Sequence, residues 1–438
     1  MQREPRVVIT GIGVISPMGC TKEALWESLL GGRSGVRPLQ RIPAGVLPAS
    51  YGGEVLDFQG KAEDFLPVDK EQAKTIRKQL KVMCRESQMG VAAAQRALAD
   101  AVLRPGQIDP ERIGVNFGSD YMLTMPEDFV EPVRACVNSD GQFEFRRWAS
   151  EGMTKLEPLW LLKYLPNMPA SHLAIFNDLR GPNNSITQRE ASADLALGEA
   201  FEILRRGDAD VMVAGSTGTR LHPMKALHAF QQEQLADGRF APEEASRPFD
   251  RDRAGMVLGE GAGAVVLETL DHAQARGAKI YAEVLAAAAH AAMERRLLAR
   301  RTRAVELVLR SLLQRSGLAP EQIGHLHAHG LSTHQCDREE AQAIQAVFGV
   351  RAKPIPVVAA KSYFGNLGAG SGLVELAASL LALEHGQLFA VLNYRTPDPE
   401  CPIHVVGALG QPAGQCFIHV NVTPQGQAAG VLIRKYEG

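Results

Sequence analysis

Residues 179–217 read "LRGPNNSITQREASADLALGEAFEILRRGDADVMVAGST". Within them, 186–200 form a tight turn that enters a helix, with Ala, Leu and Gly at the packing positions and "QRE" where the chain bends. The helical pattern "SADLALGEAFEILRRG" closes on a glycine, as helices commonly do, and "ADVMVAGST" then reads as a short strand. A charged residue, Glu190, stands at the bend. What that carboxylate does there decides what the protein can do.

The same alternation runs through the chain. Short β-branched runs ("RVVITGIGV", "ERIGVNFGS", "GAGAVVLETL", "KIYAEVLAAAAH", "IGHLHAHG", "PIPVVAAKSYFG", "HVNV", "GVLIRK") are separated by Ala/Leu-rich helical patterns, which predicts parallel strands with crossover helices. Long helices are expected over 69–103 and 294–317. Two similar α/β halves are expected, 1–270 and 271–438, each with a strand–turn–helix whose turn is rich in small residues. No low-complexity or Pro/Ser-rich linker divides them, so one compact unit is expected. "EDFLPVDKEQAK" (63–74) and "RPFDRDRAGMVLGEGAG" (247–263) read as ordered surface loops, the second giving way to a strand only at Ala264.

The 438 residues are 45% hydrophobic, ample for sizeable cores. With 47 Lys and Arg against 49 Asp and Glu, no global field favours nucleic acid or an anionic membrane. The six cysteines (Cys20, Cys84, Cys136, Cys336, Cys401, Cys416) form no CxxC pair, and the first 19 residues lack the apolar core of a signal peptide. No apolar run has the length of a membrane span, since "LLALEHGQLFAVL" (380–392) is broken by Glu, His and Gln. A soluble, cytoplasmic protein is the expectation, with no membrane or nucleic-acid partner.

Five strings, "VVITGIGVISPMG" (7–19), the stretch 179–217, "RPFDRDRAGMVLGEGAGAVVLE" (247–268), "HAHGLSTHQCDREEAQAI" (327–344) and "KSYFGNLGAGSGLVE" (361–375), together resemble the β-ketoacyl synthase family with its thiolase-type fold. The resemblance covers nearly the whole chain. It implies two similar α/β halves in a layered α-β-α-β-α structure. It also implies a chemistry: a cysteine on a strand-to-helix turn takes an acyl chain as a thioester, helped by the helix N-terminus. Two histidines then assist decarboxylation of a malonyl extender and stabilise the enolate. No bound cofactor is implied; substrates arrive on the phosphopantetheine of an acyl carrier protein.

The match departs from the family where the chemistry lies. The nucleophilic cysteine aligns with Glu190, the first histidine is present as His329, and the second is replaced by Asn366. "NVTPQGQAA" (421–429) stands where the family has Gly-Phe-Gly-Gly, with Thr423 near the Phe. In the family's "HGTGT" the first Thr is Leu331, whereas Thr333 remains to face a pantetheine arm. The family's Pro/Gly-rich loop near 290 is missing. Lys361, Asp337, Glu340 and Glu375 match family positions that form a buried polar shell. Tyr121 and Met122, after "VNFGS", are expected at the floor of the acyl tunnel, setting chain length. Arg296, Arg300 and Arg303 would share a helix face, for which solvation is the favoured reading over docking of a carrier protein.

A carboxylate is a poor acyl acceptor, because a mixed anhydride lies above a thioester in energy. If ionised, it repels a malonyl carboxylate by roughly 4 kcal/mol at ~4 Å and an effective dielectric of ~20. Three other readings stay open: burial protonates Glu190, Arg189 or another cation pairs with it, or it simply stabilises the start of its own helix. The expectation is a non-condensing subunit of the chain-length-factor type, paired with an active ketosynthase or with itself, in fatty-acid or polyketide assembly on acyl carrier protein. The alternative is a malonyl- or acyl-thioester decarboxylase or hydrolase using His329 and Asn366, with Glu190 as base. The dimer contact is expected over 180–217, with "DVMVAGS" as an edge strand.

Overall fold

Eleven strands join in one mixed sheet. The first half supplies β1 (Val7–Ile15), β2 (Ile113–Ser119), β3 (Asn183–Thr187), β4 (Val211–Thr219) and β5 (Glu260–Thr269). The second supplies β6 (Ala282–Ala291), β7 (His325–His327), β8 (Pro356–Val358), β9 (His404–Val405), β10 (Cys416–Val422) and β11 (Gln427–Lys435). The computed structural model describes residues 4–438 apart from 43, 44, 46, 48, 66–68, 104, 105 and 107. Residues 1–3 of the N-terminal run and 66–68 of "EDFLPVDKEQAK" therefore lie outside the described residues.

The halves meet where β1 pairs antiparallel with β6. Outward from that junction the orders are β1-β5-β4-β2-β3 and β6-β11-β10-β7-β8, with β9 added at the end. The same order occurs twice. In each half the two inner pairings are antiparallel and the two outer ones parallel, so the expected parallel pairing is confined to the outer strands.

Six helices complete the layers: α1 (Arg85–Asp100), α2 (Ser192–Arg206), α3 (Pro223–Gln232), α4 (Arg301–Ser316), α5 (His334–Phe348) and α6 (Ser371–His385). α2 and α6 lie between the halves, touching strands of both, while α1 covers β1, β4 and β5 and α4, with α5 beside it, covers β6, β10 and β11. The result is the five-layered, thiolase-like α-β-α-β-α arrangement. α6 reads "SGLVELAASLLALEH" and is apolar nearly all round because it is buried on all sides. Among the described residues, no helix is long and apolar enough to cross a membrane.

Four expectations need correction. The stretch 69–103 is not one helix: a helix over Lys70–Gln79 and α1 are separated at Met83 and Cys84, both extended, and the break turns Met83 into the core. Nor is 247–263 a surface loop. Arg247, Phe249, Asp250 and Arg253 are buried, Arg253 donates to Asp398 Oδ2 at 2.5 Å, and β5 begins at Glu260. Arg296, Arg300 and Arg303 share no helix face, because α4 starts at Arg301 and the preceding chain doubles back, with Met293 bridged to Ala299 and Leu297 at φ +60°. Finally, "DVMVAGS" is no edge. β4 is buried throughout and paired on both sides, and the free edge of the first half is β3.

Candidate active site at the start of a central helix

β3 ends at Thr187, Arg189 takes the left-handed conformation at φ +54°, and one short turn later α2 begins. The turn carries Glu190 inward, leaving it 3% exposed. Its Oε1 accepts from Arg220 Nη2 at 2.5 Å and from Asn366 Nδ2 at 3.1 Å. Arg189 Nε lies 3.7 Å from Oε2. Burial alone would push the carboxyl up, but Arg220 and then Arg189 hold it well below the usual carboxylate range. Of the readings left open by the sequence, pairing with a cation is the one found, and the main cation is Arg220. Arg220 follows β4, is fully buried, and places Nη1 2.8 Å from Asp120 Oδ2, off hydrogen-bond geometry.

His329 sits across from Glu190 on the loop after β7. Glu340 fixes that loop by accepting from the backbone N–H groups of His329 (2.7 Å) and Gly330 (2.9 Å), and Asp337 accepts from those of Leu331 and Ser332 (2.9 and 3.0 Å). Burial pushes the Asp337 and Glu340 carboxyls up, to about 6 and about 7. Lys361 and Glu375 do pair, Nζ to Oε1 at 2.5 Å. Asn421 lies between them and the imidazole: its Nδ2 donates to Glu375 Oε2 (3.0 Å) and its Oδ1 accepts from Lys361 Nζ (3.1 Å). Those charges set the amide's orientation, since a flip would bring oxygen against carboxylate and NH₂ against ammonium.

His329 Nδ1 lies 2.6 Å from that Oδ1, so Nδ1 carries the proton and donates. Nε2 is left as an acceptor without a protein partner among the described residues. Burial, then Lys361, push this imidazole down to about 3, so it is neutral. His419 behaves oppositely. Burial opposes its charge, but Asp194 at 2.7 Å and Glu375 at 3.1 Å raise it to about 9.

Glu190, Arg220, His329, Leu331, Asn366 and Val422 converge on a cavity of about 10 Å³, which is about one water. The other residues singled out lie around it. Thr333 caps α5 by accepting from Cys336 N. Thr423 opens the turn between β10 and β11, where its neighbours Val422 and Pro424, rather than Thr423 itself, line the cavity. Tyr121 is half-buried with Oη 2.9 Å from His228 Nδ1, and Met122 is buried against Cys84 and Ser87. Among the described residues, no group of three or more His, Cys, Asp or Glu is placed to hold a metal.

Sequence reasoning missed Arg220, Asp120, Asn421, His419 and Asp194. Two signals were available. Arg220 is a lone cation closing the small, apolar run "VMVAGSTGT", and His419 and Asn421 in "HVNV" stand two apart, on one face of a strand.

Residues 4–273 match the family profile of the beta-ketoacyl synthase N-terminal domain, and 281–395 that of its C-terminal domain. The chain is 34% identical over 407 residues to 3-oxoacyl-[acyl-carrier-protein] synthase 2 of Synechocystis sp., covering 92% of this chain and 91% of that protein. Among solved structures it resembles the ishigamide ketosynthase/chain length factor, with a TM-score of 0.83 and 26% identity over 99% of this chain and 100% of that one. It also resembles one chain of a complex described as a type II PKS acyl-carrier protein with its ketosynthase, with a TM-score of 0.81 and 25% identity over 99% of this chain and 100% of that one.

Proposed function

Because the chain belongs to the β-ketoacyl synthase family, we propose that it is a non-condensing subunit of the chain-length-factor type. In this reading it works beside an active, cysteine-bearing ketosynthase on acyl carrier protein substrates in fatty-acid or polyketide assembly. One observation carries it: the position aligned with the nucleophile holds an ionised glutamate, paired to buried Arg220 in a cavity of about 10 Å³. Among the described residues no thiol lines that cavity, and its volume is too small for an acyl group. The likeness to a ketosynthase/chain length factor agrees with this reading, and fold alone would not license it.

The alternative, decarboxylation or hydrolysis through His329 and Asn366, needs donors aimed at an oxyanion. His329 offers the cavity an acceptor instead, and the Asn366 amide is engaged by Glu190 Oε1 and Met256 Sδ. A malonyl carboxylate would also meet the Glu190 anion.

Co-expression with a cysteine-bearing ketosynthase, and assay of the chain alone and in the complex, tests the proposal. The isolated chain should release neither CO₂ nor free acid from malonyl and acyl carrier thioesters, and its peptide containing Glu190 should gain no acyl mass. The complex should form β-ketoacyl product. Turnover by the isolated chain that disappears in His329→Ala would transfer the case to the alternative.

A further inference from the structure

The charges continue behind Glu190. Arg220 bridges Glu190 and Asp120. Beyond them Lys225, also fully buried, donates to Glu86 at 2.5 Å and lies 5.5 Å from the Tyr121 ring centroid. From Glu190 through Arg220 to Asp120 the signs alternate, with the Lys225–Glu86 pair as a second buried step, and Arg189 adds a cation at the other oxygen of Glu190. The fold makes room for this. Gly368, at φ +66°, has no side chain where a Cβ would stand 3.3 Å from Arg220 Nε.

Stability does not account for such a ladder, because buried ion pairs are commonly no better than apolar packing of the same volume. This one is also incompletely satisfied: Glu190 Oε2, Asp120 Oδ2, Arg220 Nε and Nη1, and Glu86 Oε2 have no hydrogen-bond partner among the described residues. The ladder does close the space next to position 190. Arg220 lines the cavity at position 190 and Asp120 stands behind it, so an apolar group docked on that side is buried against charge.

We infer that Arg220, clamped between Glu190 and Asp120 and backed by the Lys225–Glu86 pair, is a specificity-determining plug that shuts this subunit's own pocket to acyl chains whatever residue stands at 190. The inference rests on the non-condensing reading and deepens it by naming what excludes the substrate beyond the lost thiol.

The test installs a thiol in three backgrounds of the full chain in its complex: Glu190→Cys; Glu190→Cys with Arg220→Lys; and Glu190→Cys with Arg220→Met and Asp120→Asn. The probe is octanoyl-pantetheine. In the transfer, the thiolate installed at position 190 attacks the thioester carbonyl, a new C–S bond forms on the protein, and the pantetheine thiolate leaves and takes up a proton. Intact-mass measurement distinguishes this subunit from its partner. The variant without Arg220 and Asp120 should be acylated at least about tenfold faster than the other two, because only there does the chain avoid burial against charge. Equal rates, or no acylation of that variant when it is folded and dimeric, would overturn the inference.

If that variant does not fold, the native chain supplies the answer. A diazirine-bearing octyl amide of pantetheine should leave the peptides containing Glu190 and Arg220 unlabelled, and saturable labelling there would overturn the plug. Turnover by the isolated native chain would instead sink the non-condensing reading, so the two failures are distinguishable.

Discussion

At position 190 the carboxyl is held well below the usual carboxylate range, and its environment turns on Arg220. Arg220→Met leaves Glu190 and Asp120 buried without their cation, and removing one partner of a buried pair costs about 3–5 kcal/mol. Urea unfolding should show a loss of that size, with partial recovery when Glu190→Gln is added; a loss under about 1 kcal/mol would mean that water reaches the pair. The pH dependence has a definite sign. The Glu190 and Glu375 carboxyls are depressed, so their contribution is present above the ordinary carboxylate pKa and lost as pH falls below it. His419 is raised to about 9, so its contribution is complete below its ordinary value near 6.5 and lost as pH rises through about 9. A rise of that size corresponds to about 3 kcal/mol lost on the alkaline limb. Histidine-resolved NMR should find His419 still charged at pH 8 and His329 neutral at pH 5. The reverse pattern would remove Nε2 of His329 as an acceptor.

At the scale of elements, the first half ends in a strand that is free on one side. Among the described residues β3 pairs with β2 only, and its sequence "NNSIT" is mostly polar and exposed, whereas the apolar β4 is interior. An open edge invites a partner strand. If the proposed dimer joins at this edge, proline at 184 or 185 removes an N–H and should convert it to monomer in size-exclusion chromatography at one of the two positions, the one whose N–H points outward. A dimer surviving both would move the interface elsewhere. The strand–turn–helix units were legible in the sequence because period-2 and period-3.6 patterns report which face is buried. Edge and interior strands were not: "DVMVAGS" is apolar because helices cover both its faces, which says nothing of its lateral neighbours. The missed site residues failed for a related reason. Glu190, His329, Lys361 and Glu375 stand in strings that carry the family resemblance, whereas Arg220 and Asp120 lie outside them, and charges so far apart in sequence meet only in the folded molecule.

For the whole molecule, the proposed partner fits best on the surface around β3. Ser185 donates to Pro166 O, Tyr121 Oη meets His228 of α3, and Arg189 bonds Gln232 of α3, so segment 120–166 and α3 flank that edge. Both carry exposed apolar side chains, among them Phe145, Leu159, Leu227 and Phe230. A partner seated there would cover these side chains, and the proposed obligate dimer should bury on the order of 2,000 Å² or more. Tyr121 and Met122 then separate in role. Met122 is buried against Cys84 and Ser87, so Met122→Ala should cost about 2–5 kcal/mol as a core cavity and leave product length unchanged. Tyr121 is half-buried, lies beside Lys225 and contacts His228 of α3, which carries exposed apolar side chains. Tyr121→Ala should lengthen the products of a verified complex with an active ketosynthase. Mass spectrometry of those products decides: a shift from Met122→Ala alone would place the limiting contact inside this subunit, and no shift from either would remove the chain-length role while leaving the dimer intact.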